Sequence, residues 1–190
     1  MTNSWQKRQQ ILAAAFVLLV PGLGAMAQQP QTTKEPEYVG KVMLLGSDGD
    51  LISLERQTPR FEGKTSNYVF KVKSQARRAV LGAKSPVRTD PQAHFVVRGQ
   101  VADVDPATLI HMYRVDVGKD ERYYVTNTTS ATFAGAKGTT TDREGLPLSI
   151  EKFGTASFNV SSAQPLAPGE YCFSTAAGMA VDCFGVDAKQ

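Results

Sequence analysis

The sequence predicts an all-β protein, an antiparallel β-sandwich. Three observations carry the prediction. From Tyr38 onward, short apolar or alternating runs recur at spacings of roughly 8–15 residues. Turn residues such as Asp48-Gly49 and Pro168-Gly169 punctuate them. No convincing helical stripe separates them, and regular short strands without intervening helices fold as sandwiches or barrels. The chain has 190 residues, 42% hydrophobic and 21% charged, the size and composition of one domain with its own core. A single sandwich over residues 38–190 is expected, with immunoglobulin-like topology as one arrangement the pattern allows.

Residues 1–27 read as a signal peptide. Lys7 and Arg8 precede an apolar run over residues 11–20. Pro21, Gly22 and Gly24 break that run, and Ala25-Met26-Ala27 places small residues at −3 and −1. The run is far short of the roughly 20 residues that span a bilayer. Cleavage after Ala27 is expected, giving a secreted or periplasmic protein without a stable transmembrane segment. Residues 28–37, rich in Gln, Thr and Pro, read as a disordered lead-in. Lys7 and Arg8 are the sole charges removed, so the net charge falls from +3 to +1. That balance gives no long-range attraction for nucleic acid.

The strands follow in order. Residues 39–45 and 51–56 flank Ser47-Asp48-Gly49-Asp50, a hairpin signal because the turn needs φ > 0. Tyr68, Phe70 and Val72 alternate with Lys71 and Lys73. Residues 74–81 are read as a short helical turn ended by Gly82. In residues 94–98, Phe95 and Val97 share one face. Asp105-Pro106-Ala107 starts a single turn. Residues 109–115 and 122–126 are strands joined by Gly118-Lys119-Asp120-Glu121. The Ser/Thr/Gly-rich residues 127–142 read as a long loop. Residues 146–150 and 156–160 flank Lys152-Phe153-Gly154, and residues 171–175 and 180–186 make the last pair.

That last hairpin holds both cysteines, Cys172 and Cys183. A four-residue loop over 176–179 sets Thr175 opposite Ala180 and Cys172 opposite Cys183, at a non-hydrogen-bonded position. The Cα separation there is about 4.5 Å, which a disulfide tolerates. A two-residue loop keeps the pairing at the wider position. Tyr171, Phe173, Phe184 and Val186 then point into the core, and the cross-link lies on the opposite face. Free buried thiols are the main alternative. Redox chemistry lacks a Cys-x-x-Cys spacing, and a metal site lacks companion ligands. A structural Cys172–Cys183 disulfide is expected.

The catalytic inventory is thin. His94 and His111 are the two histidines, without a Gly-x-Ser-x-Gly elbow. Asp48, Asp50 and Glu55 offer oxygens suited to Ca²⁺ but not the twelve-residue loop pattern. No phosphate-binding glycine loop or dinucleotide fingerprint occurs. Lys71, Lys73, Arg77, Arg78, Lys84 and Arg88 form a basic cluster, read as a solvated face before an anion site. Tyr113, Tyr123 and Tyr124 are candidates for a glycan platform. Asn127 and Asn159 head N-x-Ser/Thr patterns. No catalytic, cofactor or metal residue is expected.

Leu166-Ala167-Pro168-Gly169-Glu170-Tyr171 leads into the hairpin that ends Cys183-Phe184-Gly185-Val186-Asp187. It resembles the L-x-P-G-E-Y lead into a late strand of uncharacterised bacterial exported β-sandwich proteins. The resemblance implies the fold and carries no catalytic residue. The expected function is non-enzymatic: binding a protein or other envelope component. The alternative is a module for a small extracellular ligand or glycan, and the third reading is a hydrolase using His94 or His111.

Overall fold

Strands form on the β-branched and aromatic runs, and glycine and aspartate make the turns between them. A computed structural model describes residues 34–69, 71–99, 104–132, 145–176 and 179–188. Thirteen strands occur among them. They are β1 (Val42–Leu45), β2 (Leu51–Ser53), β3 (Glu55–Gln57), β4 (Arg60–Tyr68), β5 (Lys71–Leu81), β6 (Arg88–Thr89) and β7 (His94–Arg98). After a 3₁₀ turn at Pro106–Thr108 come β8 (Ile110–Val117), β9 (Glu121–Thr132), β10 (Leu148–Phe153), β11 (Ser157–Ser162), β12 (Gly169–Thr175) and β13 (Val181–Val186). The 3₁₀ turn sits where Asp105-Pro106 predicts it, with the Asp105 carboxylate accepting from Ala107 N–H at 2.9 Å.

Two sheets pack face to face as an antiparallel β-sandwich. The smaller runs β10-β11-β7-β1-β2; the larger runs β3-β13-β12-β8-β9-β5-β4, with β6 parallel to β13. The β1–β2 hairpin turns at Gly49, whose φ of 82° is the conformation the Asp-Gly signal predicts. Leu54 separates β2 from β3 and is buried in the core as the chain passes from one sheet to the other. Between the sheets, Phe95 of β7 meets Phe184 of β13 at 4.7 Å and Phe173 of β12 at 4.9 Å between ring centroids. Tyr171, Met112, Val42 and Val160 complete the centre of this cluster.

The last hairpin has the predicted register: Cys172 opposes Cys183 and Ser174 opposes Val181. The two cysteines form a disulfide with a Cα separation of 4.0 Å. Tyr171, Phe173, Phe184 and Val186 do face the core, and the cross-link lies on the other face. That other face is also covered. β8 and β9 pair at Asp116–Tyr123 and Val117–Arg122, after which β9 and β5 curl back over β12 and β13. Val80, Val115, Tyr124 and Val181 bury the disulfide in a second apolar cluster. Gln57 closes the curl, donating to the Leu81 carbonyl at 3.1 Å and accepting from Leu81 N–H at 2.9 Å. Breaking the cross-link with Cys172→Ala and Cys183→Ala together is expected to cost about 1–3 kcal/mol, part loop entropy and part lost packing. Urea midpoints measure this. A double variant as stable as the parent would mean the hairpin contacts alone hold the second cluster.

Three expectations are corrected. Residues 74–81, read as a helical turn, belong to β5, because β4 and β9 pair with it on both sides. The run Tyr68–Lys73 is not one strand: β4 ends at Tyr68 and β5 starts at Lys71. Residues 127–132 of the expected loop extend β9, while 133–144 lie outside the described residues. Residues 1–33, with the expected signal, also lie outside them.

Of the expected lead-in, residues 34–37 are described, and they lie against the domain. Glu35 accepts from Thr155 N–H at 2.6 Å, Ala156 N–H at 3.0 Å and the Ser157 hydroxyl at 2.7 Å. The Thr155 N–H first, then the Ser157 hydroxyl, hold its carboxyl below the ordinary value of 4.5. A lowered folded pKa adds stability that is present above the ordinary value and lost as pH falls through the folded one. Glu35→Gln should therefore lower the urea midpoint at neutral pH, and the gap to the parent should close as pH falls below about 4. A gap independent of pH would show that the carboxylate charge contributes nothing. Asp182 acts in the opposite sense: burial raises its carboxyl, partly offset by Val42 N–H and by Arg56.

Candidate interaction surface

The longest strands, β4, β5 and β9, make a three-stranded arm whose outer part leaves the apolar core. Thr, Val, Tyr and Ser dominate β9, residues that fit a pleated surface without needing a core face. The β5–β9 register shifts by one between Ala76 and Arg77, leaving Thr126 extra on β9. Its hydroxyl donates to the Ala76 carbonyl at 3.2 Å. Such a bulge bends the ladder, and here it marks the boundary of burial. On the near side, Ala79, Val80, Arg122 and Tyr124 are buried; none of the described residues in 60–67, 72–78 and 125–131 is.

Cross-strand polar contacts hold the arm together instead. Arg77 donates to Glu62 at 2.6 and 2.9 Å and pairs with Glu121 at 2.9 Å. Its guanidinium also lies over the Tyr123 ring at 4.6 Å. Arg60 joins the same lattice through Glu121 at 3.3 Å. The Glu62 carboxylate first, with Glu121 beside it, raises the Arg77 pKa and keeps that cation charged. Gln75 donates to Thr128 at 3.3 Å, and Thr65 meets Ser74 at 3.4 Å. β4 is the terminal strand of the larger sheet, so no described strand pairs its outer edge. Phe61 is 66% exposed and Val69 80% exposed, both at this edge strand or its turn.

The residues singled out from sequence scatter. His94 is exposed on β7 and opposes Ser161 of β11, with no hydrogen bond between them among the described residues. His111 is exposed on β8, which belongs to the other sheet. Asp50 pairs with Lys34, Asp48 accepts from Asp50 N–H at 3.2 Å, and Glu55 pairs with Arg122 at 2.8 Å. No group of three His, Cys, Asp or Glu suited to a metal occurs among the described residues. The three arginines of the basic cluster make contacts within the domain: Arg77 as above, Arg78 over Phe61 at 4.8 Å, and Arg88 with Glu170 and Asp187. The Arg88 guanidinium sits where a Cβ at Gly185 would fall, so a side chain there would push it off Glu170 and Asp187. Tyr124 is 3% exposed and stacks on Tyr113 at 4.6 Å, and Arg77 covers Tyr123, so the three tyrosines do not form an open platform. Asn127 lies on the arm, and the Oδ1 of Asn159 is buried.

A shallow crevice with room for little more than a water molecule opens between Val97, Leu109, Ile110 and Phe158. Its two polar side chains are engaged. Thr175 donates to the Gly40 carbonyl at 3.1 Å, and Arg98 donates to the Pro36 and Glu37 carbonyls at 3.3 Å. It offers apolar contact and little to orient a ligand. The arm was missed from sequence because its faces are both solvated, which removes the alternation that marks a half-buried strand. The paired spacing of Glu62 and Arg77 becomes meaningful once the hairpin register is known.

Comparison with known family models, with curated proteins and with solved structures finds no match for this chain.

Proposed function

We propose that this chain is an exported, non-enzymatic binding protein that docks another protein along its β4–β5–β9 arm. One observation carries the reading: a nine-residue terminal strand whose outer edge no described strand pairs, held outside the core by polar contacts and not by burial. A free strand edge offers main-chain donors and acceptors to a partner strand, and neighbouring side chains supply selectivity. Exposed Phe61 and Val69 add apolar contact at the same place. The disulfide fits an oxidising compartment, in keeping with export. No helix among the described residues is long and apolar enough to cross a membrane.

The test places a photo-crosslinking amino acid at Thr65 and, as a control, at Glu151 on β10 of the smaller sheet. Adducts with protein from Thr65 and not from Glu151 would support the reading. Adducts from Glu151 alone, or from neither position, would defeat it.

A further inference from the structure

We propose that the partner strand at β4 comes from a second copy of this chain, paired antiparallel about Gly63. This inference rests on the docking reading above and names its partner. In an antiparallel pair, directly opposed residues share a face, so a symmetric pairing must centre on a residue of the strand. Centring on Gly63 opposes Glu62 to the second copy's Lys64, and by symmetry Lys64 to its Glu62. Arg60 then faces Ser66, and Phe61 faces Thr65. The registers centred one residue either way set Glu62 against Glu62 or Lys64 against Lys64, which repels. Charge therefore selects one register among its neighbours.

Three features of the strand fit that pairing. Lys64 is exposed and makes no ion pair or hydrogen bond among the described residues, whereas Glu62 is already held in place by Arg77. A Cβ built at Gly63 meets nothing within 4 Å, so the sheet face there is bare at the centre of a strand whose outer edge no described strand pairs. Phe61, 66% exposed, lies one diagonal step from the second copy's Gly63 and would cover its bare backbone. A lysine on an edge strand ordinarily keeps other strands away. With glutamate two residues before it, the same lysine accepts a strand of identical sequence in one register. Pairing joins two arms into one six-stranded ribbon without altering either core. Seven opposed residues give a contact at the weak end of specific association, so the dimer should be concentration-dependent.

The test uses the full chain carrying Gly63→Cys. Both native cysteines are in the disulfide, so the new thiol stands alone, and the open space at Gly63 admits it. Across the symmetry axis two such thiols fall within disulfide range. Mild oxidation should give a covalent dimer several-fold faster than Thr65→Cys, which the register sets against Phe61. Adding Lys64→Glu should slow that trapping and weaken self-association in sedimentation equilibrium by about tenfold or more. Trapping equal at 63 and 65, or indifferent to Lys64→Glu, would overturn the proposal. If the photo-crosslinker at Thr65 captures a different protein while Gly63→Cys stays monomeric, the second copy is wrong and the docking reading stands. If neither links to anything, both fail.

Discussion

Arg122→Met is expected to cost about 3–5 kcal/mol of unfolding free energy, measured as a fall in the urea midpoint at neutral pH. Arg122 is fully buried, and every guanidinium nitrogen is engaged. Nε donates to the Gly82 carbonyl at 2.8 Å; Nη2 donates to Glu55 at 2.8 Å and to the Leu81 carbonyl at 3.0 Å. Nη1 reaches Glu170 at 3.4 Å. These contacts tie β9 to β3, to β12 and to the end of β5, the strands that curl around the disulfide. Methionine fills much of the volume but leaves Glu55 with no cation, and Glu55 already has one buried oxygen without a partner. Glu170 fares better, because Arg88 and the Ser85 N–H at 2.8 Å remain. The penalty therefore lies in a stranded charge at Glu55. Arg122→Lys should recover little, since a single ammonium cannot serve four acceptors in a planar fork. A loss below about 1 kcal/mol for Arg122→Met would show that water or a side-chain shift satisfies Glu55, and that the cluster does not hold the curl.

The residues that were legible in sequence and those that were not differ in what their structure depends on. The Cys172–Cys183 register follows from counting outward from a loop, because hairpin pairing is local. Gly49 announces its turn by a conformation few other residues adopt. The alternation of Tyr171, Phe173, Phe184 and Val186 reveals which face is core, because side chains along a strand point alternately to its two faces. That alternation says which face carries the cross-link and nothing about what covers it. Whether the other face is covered depends on how far β9 follows β8, and two residue pairs decide that. β4 has little apolar alternation to detect; its place is set by pairing with β5 and by Glu62–Arg77, a contact between residues fifteen apart. Arg77 and Arg78 looked like a solvated basic patch because their carboxylate and aromatic partners sit on other strands. Arg122 read as an ordinary strand residue, although it is buried deeper than most of the apolar ones. The three arginines of the basic cluster and the two histidines make one point: sequence shows the residue types, and only pairing shows which of them meet.

Phe184→Ala should destabilise the fold by about 3–5 kcal/mol, comparable with Arg122→Met but through a different cause. The Phe184 ring is fully buried between the sheets. Its centroid lies 4.7 Å from Phe95, 5.5 Å from Tyr171 and 5.9 Å from Phe173. It is the one ring of the four in contact with all the others, so its removal opens a space bounded by aromatic faces on both sheets. Collapse into that space is restricted. Gly185, next along β13, carries Arg88 on its bare backbone, and Asp182 two residues before is fixed by Arg56 at 3.0 Å and by Val42 N–H at 3.2 Å. β13 is held from both sides of Phe184 and cannot shift inward to fill the gap. Phe184→Leu, which keeps most of the volume, should cost about 1.5 kcal/mol or less. Far-ultraviolet circular dichroism in urea gives both values. A small loss in Phe184→Ala with an unchanged denaturant slope would mean that Phe95 or Tyr171 moves into the vacated space, and that β13 is less rigidly anchored than Arg88 and Asp182 imply. A large loss in Phe184→Ala beside a small one in Phe184→Leu would place the cost in the cavity itself. The stability of the sandwich would then depend on the fit of these four rings between the two sheets.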